Sequence, residues 1–193
     1  MTLAELSYEI LMKPVILSDI DGVLAYYAQG ALTAVNSRFG TRYAYENLTS
    51  YDYKYIFDEE EYAWYKTWRA SPEALALLAP NYHAIDFVNA CHEAGHYVVI
   101  ASGRPKTAAT ITRQWLDAHH VQFDLTVLEG DGSKQSVARE HSHNVLWLDD
   151  DPRMFGVASE VGAILYHPRM PWTPKKVPKN VRVIEPGVKY SLK

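Results

Sequence analysis

One cysteine, Cys91, is all that 193 residues contain. It can build neither an intramolecular disulfide framework nor a multi-cysteine zinc site. It falls in a segment that reads as helix, so a buried thiol is expected there rather than a reactive one. Long apolar runs are missing as well. None approaches the roughly 18 residues of a membrane span, so no membrane partner is expected. No internal repeat and no low-complexity tract stand out. Excess positive charge is also lacking: 19 Lys and Arg against 23 Asp and Glu give a formal net charge of −4. That argues against broad, non-specific nucleic-acid binding while leaving room for a small basic cleft. The opening residues Met1 to Lys13 carry no basic stretch and no small-residue cleavage site, so they do not read as a signal peptide. The expected location is cytoplasmic. With 48% hydrophobic and 22% charged residues, the chain is ordinary for a globular protein and long enough for one domain with a small insert.

Short apolar runs punctuate the chain. Val15-Ile16-Leu17 stops at Ser18-Asp19-Ile20-Asp21-Gly22. Tyr97 to Ala101 stops at Ser102-Gly103-Arg104-Pro105. Phe123 to Leu128 and Val145 to Leu148 are two more such runs, the second ending in Asp149-Asp150-Asp151-Pro152. Ala163 to Tyr166 and Val181 to Ile184 are weaker strand candidates. Between the runs lie helical patterns: Ala84 to Ala94, with Ile85, Val88 and Cys91 at helical spacing before Gly95; Thr107 to Ala118; Lys134 to Glu140; and Pro152 to about Glu160. Strands alternating with helices predict an α/β fold, a Rossmann-like parallel sheet with helices on both faces. Ligands of such sheets sit beyond the carboxyl ends of the strands, where the polar clusters of this sequence fall.

One stretch breaks the alternation. Tyr26 to Trp68 holds 13 of the 24 aromatic residues and no buried parallel strand. It predicts a small helical cap, residues 25–77, inserted in a core formed by residues 1–24 and 78–193. Some of its rings are expected to face a ligand, with Tyr51, Trp64, Tyr65 and Trp68 as the candidates.

The chemistry follows from the strand ends. Asp19 and Asp21 place two carboxylates close together, and two such anions repel unless they share a cation or a proton. A Mg²⁺ ion, which takes hard oxygen ligands, resolves the conflict. Asp149 and Asp150, at another strand end, strengthen the metal reading, whereas Asp151 fits a helix start before Pro152. Ser102 and the amides near Gly103 suit an anion. Arg104 suits bidentate contact with phosphate. Lys134, after the turn Glu129-Gly130-Asp131-Gly132, could neutralise a phosphate and a nucleophile. His119, His120, His141 and His143 read as surface groups.

These motifs resemble the four motifs of the haloacid dehalogenase-like phosphatases. VILSDIDGVLA, residues 15–25, resembles the first; VVIASGRP, residues 98–105, the second; Lys134 the third; LWLDDDP, residues 146–152, the fourth. The resemblance implies that Asp19 is a nucleophile forming an aspartyl-phosphate and that Asp21 is the general acid and base. It implies that Mg²⁺ is held by Asp19, the main-chain carbonyl of Asp21 and Asp150, with Asp149 in support, and that Ser102 and Lys134 hold the phosphoryl oxygens. The cap position and the segment Glu46 to Asp52 resemble the 5′(3′)-deoxyribonucleotidase group, which implies a nucleoside monophosphate as substrate. A second resemblance, of Ser102-Gly103-Arg104, Thr112 to Leu116 and Asp149-Asp150 to the 3′-phosphatase domain of polynucleotide kinases, implies instead a nucleic-acid end. A phosphomutase, or a non-catalytic binding protein on the same fold, are the remaining alternatives. The partner is thus a small phosphate ester, a nucleotide first.

Overall fold

The computed structural model describes residues 13–128 and 130–191. The opening segment, with its reading as no signal peptide, and Glu129 lie outside them. Six strands form one sheet: β1 Val15–Ser18, β2 Val98–Ser102, β3 Leu125–Leu128, β4 Val145–Leu148, β5 Ile164–Pro168 and β6 Val181–Ile184. Their order is β3-β2-β1-β4-β5-β6 and every pairing is parallel. The helices are α1 Tyr27–Phe39, α2 Glu59–Trp68, α3 Pro72–Ala76, α4 Tyr82–Glu93, α5 Ala109–Ala118, α6 Gly130–Glu140 and α7 Met154–Glu160. Both weaker strand candidates are therefore strands, and the expected parallel α/β fold is present.

The central strands β1, β2 and β4 are buried along their whole length, which is why they read as unbroken apolar runs rather than as alternating ones. Ile16, Ile100 and Leu146 point to one face, where Ile85 and Val88 of α4 and Trp115 and Leu116 of α5 cover them. Leu17, Val99 and Trp147 point to the other, under Ala138 of α6 and Phe155 and Ala158 of α7. Cys91 is buried on α4, and burial pushes its thiol up to about 11.

Two boundaries differ from expectation. Lys106–Ala108 forms a 3₁₀ turn ahead of α5. Helix α6 begins at Gly130, through the glycines read above as a turn. Glycine costs a helix about 1 kcal/mol per residue, a local penalty that tertiary anchoring outweighs, and Lys134 provides such an anchor.

The strand order reverses direction at β1, so a crevice opens between β1 and β4, the usual ligand position in such sheets. The segment between β1 and α4 lies over it. The chain leaves through Asp21–Ala25 and returns at Pro80, and Ala25 bridges to both Asp21 and Pro80. The amide of Tyr26 donates to the Ala79 carbonyl, and that of Asn81 to the Leu24 carbonyl. The segment has its own apolar cluster, with Ala31, Leu32 and Val35 of α1 against Tyr53, Phe57 and Tyr65. Gly40 ends α1 in the left-handed region at φ 70°, a conformation glycine adopts without steric cost. Asp58 and Glu61 form a capping box at the start of α2, satisfying two amides that the first turn leaves over.

Candidate active site

Register brings the strand ends together. Ser18 of β1 pairs with Leu148 of β4, so the residues that follow, Asp19 and Asp149, come to lie side by side. The ladder continues into them: the Asp19 amide donates to the Leu148 carbonyl at 2.9 Å and the Asp149 amide to the Tyr166 carbonyl at 3.1 Å. Both carboxylates are thus fixed by backbone before any side-chain contact is made. Oxygens of Asp19, Asp149 and Asp150 lie within 4.8 Å of one another, and all three residues are buried.

Lys134 reaches this cluster from α6. Its ammonium donates to Asp19 Oδ2 at 2.5 Å and to Asp149 Oδ2 at 3.1 Å. Asp149 also accepts from the Trp147 indole and the Asp151 amide. One ammonium faces three carboxylates, which leaves positive charge in deficit. Burial, opposed by Lys134 and reinforced by Asp149 and Asp21, pushes Asp19 up to about 7. Burial, with the charges of Asp19 and Asp149, holds Asp150 well above the usual carboxylate range. Burial also raises Asp149. Burial lowers the affinity of Lys134 for its proton, but Asp149 and Asp19 outweigh it and keep the ammonium charged. Three buried carboxylates with one monocation fit a divalent cation, and an all-oxygen donor set suits Mg²⁺.

Gly22 is required here on two counts. Its φ of +81° is the left-handed region, and a Cβ on it would lie 2.1 Å from Asp150 Oδ2. The glycine after the second aspartate therefore makes room for the fourth motif.

Ser102, at the end of β2, is 1% exposed, and its hydroxyl is buried without a hydrogen-bond partner. Such an orphan costs about 1–3 kcal/mol, and Ser102 lines the same cavity as Asp19 and Lys134. A phosphoryl oxygen would satisfy it. Gly103 lines that cavity beside it.

Arg104 departs from the expectation of direct phosphate contact. Its guanidinium forks onto Asp21, Nε to Oδ2 at 2.9 Å and Nη2 to Oδ1 at 2.6 Å, with Nη1 at 3.5 Å from the Thr112 hydroxyl. A nearby carboxylate matches the bidentate fork as well as a phosphate does, so the arginine is committed to Asp21. The Asp21 carboxylate in turn stands outside the three-carboxylate group. Asp151, set aside by sequence, pairs with Arg153 at 2.6 Å.

The cavity above these groups holds about 290 Å³. Tyr51 and Tyr65 line it; Trp64 and Trp68 do not. The reason is helical phase. Tyr62, Tyr65 and Arg69 lie three and four positions apart along α2 and its last turn, and that stripe faces the cavity. Trp64 and Trp68 form the neighbouring stripe. They stack on each other at 6.2 Å, with Phe39 against Trp64 and Tyr27 against Trp68. Sequence reasoning missed Tyr62 and Arg69, which the spacing from Tyr65 would have given. It also missed Trp172, from the tail beyond β5, which lines the cavity against Tyr51 at 6.1 Å and for which the sequence holds no signal. His167 was missed too. Buried, and lowered by that burial to about 4, it donates through Nδ1 to the Asp149 carbonyl and accepts at Nε2 from Thr173.

A family model described as 5′ nucleotidase, deoxy (Pyrimidine), cytosolic type C protein matches residues 13–150. The chain belongs to this family. This type C nucleotidase family member is accordingly a phosphatase of the haloacid dehalogenase-like class. Solved structures agree on the fold. A haloacid dehalogenase-like hydrolase from Bacteroides fragilis is 15% identical with a TM-score of 0.63, covering 91% of this chain and 98% of its own. A haloacid dehalogenase-like family hydrolase from Streptococcus pneumoniae is 15% identical with a TM-score of 0.59, covering 82% and 85%. A predicted phosphoglycolate phosphatase from Haemophilus somnus is 12% identical with a TM-score of 0.56, covering 82% and 86%. No curated protein matches. Among the described residues, no helix is long and apolar enough to cross a membrane.

Proposed function

We propose that this protein is a Mg²⁺-dependent phosphatase of nucleoside monophosphates that works through an aspartyl-phosphate in the cytoplasm. The observation that carries the reading is a single cavity with Asp19, Ser102 and Lys134 on its floor and Tyr51 and Tyr65 on its roof. Such a cavity offers a phosphoryl group a nucleophile and donors, and offers a base aromatic faces. The family's description supports both the substrate class and the location.

An Asp19 oxygen attacks phosphorus and the bond to the leaving oxygen breaks, while Asp21 gives that oxygen a proton. Asp21 then takes a proton from water, the water oxygen attacks phosphorus, and the Asp19–phosphorus link breaks to release inorganic phosphate. Ser102 and Lys134 hold the phosphoryl oxygens, with the amides near Gly103. The fork of Arg104 must release one Asp21 oxygen for the proton to move, and an arriving phosphate is the competitor that draws the arginine away. Asp19, Asp149, Asp150 and the Asp21 main-chain carbonyl would hold Mg²⁺, which when bound supplies positive charge for the phosphoryl oxygens. Residues 25–77 act as a cap that excludes water during the first transfer, hinging where Ala25 meets Asp21 and Pro80.

The test is phosphate release from 5′- and 3′-deoxyribonucleotides and ribonucleotides, sugar phosphates and a 3′-phosphorylated oligonucleotide, with Mg²⁺ or with EDTA. Mononucleotides hydrolysed fastest, with the activity lost in EDTA, is the expected result. Sugar phosphates hydrolysed far faster, or the oligonucleotide alone, would overturn the nucleotide assignment.

A further inference from the structure

Around the cavity the carboxylates of the floor outnumber their cations, yet one cation of the lining has no carboxylate partner among the described residues. Asp19 and Asp149 hold Lys134, Asp21 holds Arg104, and Asp151 holds Arg153. Arg69 lines the same cavity, yet it makes no ion pair among the described residues. It stands at the C-terminal cap position of α2 and is exposed. Partial desolvation of this exposed side chain works against its charge, while Tyr27, Tyr65 and Asp21 favour it.

The groups beside it add donors rather than acceptors. Tyr27 and Tyr65 share one hydrogen bond, hydroxyl to hydroxyl at 3.0 Å. Two phenols carry two protons, and the shared bond uses one. The other is free to be donated, because neither hydroxyl has a further partner among the described residues. Asp21 is occupied by Arg104. A guanidinium and a spare O–H on one wall, with no carboxylate of their own, match an anionic oxygen acceptor better than a neutral ring edge.

We propose that Arg69 and the Tyr27–Tyr65 pair form a second anion subsite, so that the preferred substrate carries a further phosphate or carboxylate on its leaving group. For a nucleotide, this means a nucleoside bisphosphate. The inference rests on the phosphatase chemistry of the floor and stands apart from the choice of a nucleotide.

Two substrate pairs test it, each differing in the second anion: thymidine 3′,5′-bisphosphate against dTMP, and 2-phosphoglycolate against ethyl phosphate. The expected result is a kcat/KM at least about tenfold higher for the doubly anionic member of one pair, as a charge-assisted contact would give. Arg69→Gln abolishes that preference and Arg69→Lys retains part of it, which a merely structural role would not produce. A preference confined to the bisphosphate pair names phosphate as the second anion. A preference confined to the carboxylate pair keeps the subsite and removes the nucleotide assignment. Hydrolysis of dTMP with no Arg69-dependent preference in either pair overturns the subsite and leaves the nucleotidase reading standing. Hydrolysis of none of the four counts against both.

Discussion

The floor of the cavity is made of charged side chains at strand ends, and its roof is made of rings on a helix and its flanking turns. On the floor, each group is placed by the backbone: the ladder runs through Asp19 and Asp149, and Gly22 leaves the space that Asp150 fills. Ion pairs then lock the orientation. On the roof, no ladder fixes anything. Tyr53, Phe57 and Tyr65 pack ring against ring at 4.9–5.4 Å; Tyr53 and Tyr65 belong to the insert's own core and also line the cavity, and on α2 helical phase decides which rings reach it. The floor is therefore intolerant of single changes, and the roof is adjustable. Phosphoryl transfer needs the first property, since it depends on positioning and charge. Adapting one chemistry to different leaving groups needs the second.

The largest effect expected from breaking the floor is that of Asp19→Asn. Phosphate release should fall by about 10⁴-fold or more, as for loss of other nucleophiles, with the fold intact by circular dichroism. An Asp19→Asn protein that matches wild type would instead favour a binding role. Ser102→Ala comes next. Losing one preorganised donor should cost about 10²–10³ in kcat. Because the hydroxyl is an orphan in the free protein, the thermal midpoint should hold or rise, and a large loss of stability would show that Ser102 has a structural partner. Gly22→Ala should destabilise by about 1–3 kcal/mol through backbone strain alone. The 2.1 Å contact should also displace Asp150, visible as a higher Mg²⁺ requirement in a metal titration.

The roof should respond more gently, and residue by residue. Tyr65→Phe should raise KM for the preferred substrate several-fold, because it removes a hydroxyl at the cavity wall. Trp64→Phe should leave KM within about twofold and cost about 1 kcal/mol of stability, typical for a truncated packing contact. If Trp64 shifted KM more than Tyr65, the assignment of the two helix stripes would be reversed.

The same contrast explains what could be read from sequence. A strand end is a fixed address. An apolar run that stops at Asp19, another at Ser102 and another at Asp149 must deliver those residues to one edge of a parallel sheet, whereas Lys134 was singled out only by that context and by its resemblance to the third motif. Arg104 was legible as a phosphate-matching fork but not as the partner of Asp21, since that depends on a contact 83 residues away in the chain. On the roof, composition located the aromatic cluster, but it could not tell Tyr65 from Trp64 without knowing which side of α2 meets the crevice. Trp172 was out of reach for a different reason, since the tail beyond β5 that carries it has no periodicity; His167 lies on β5 itself, and its bond to the Asp149 carbonyl follows from how that strand sits beside β4.

The central claim is that Asp19 forms a covalent bond to phosphorus. Rapid acid quench of the wild-type enzyme during turnover of dTMP with Mg²⁺, followed by mass spectrometry of the intact chain and its peptides, tests it most directly. The account predicts a transient species heavier by one phosphoryl group, with the group on the peptide containing Asp19 and absent in Asp19→Asn. Phosphate released at full rate with no such species at any time, or a phosphoryl group on another residue, would contradict it.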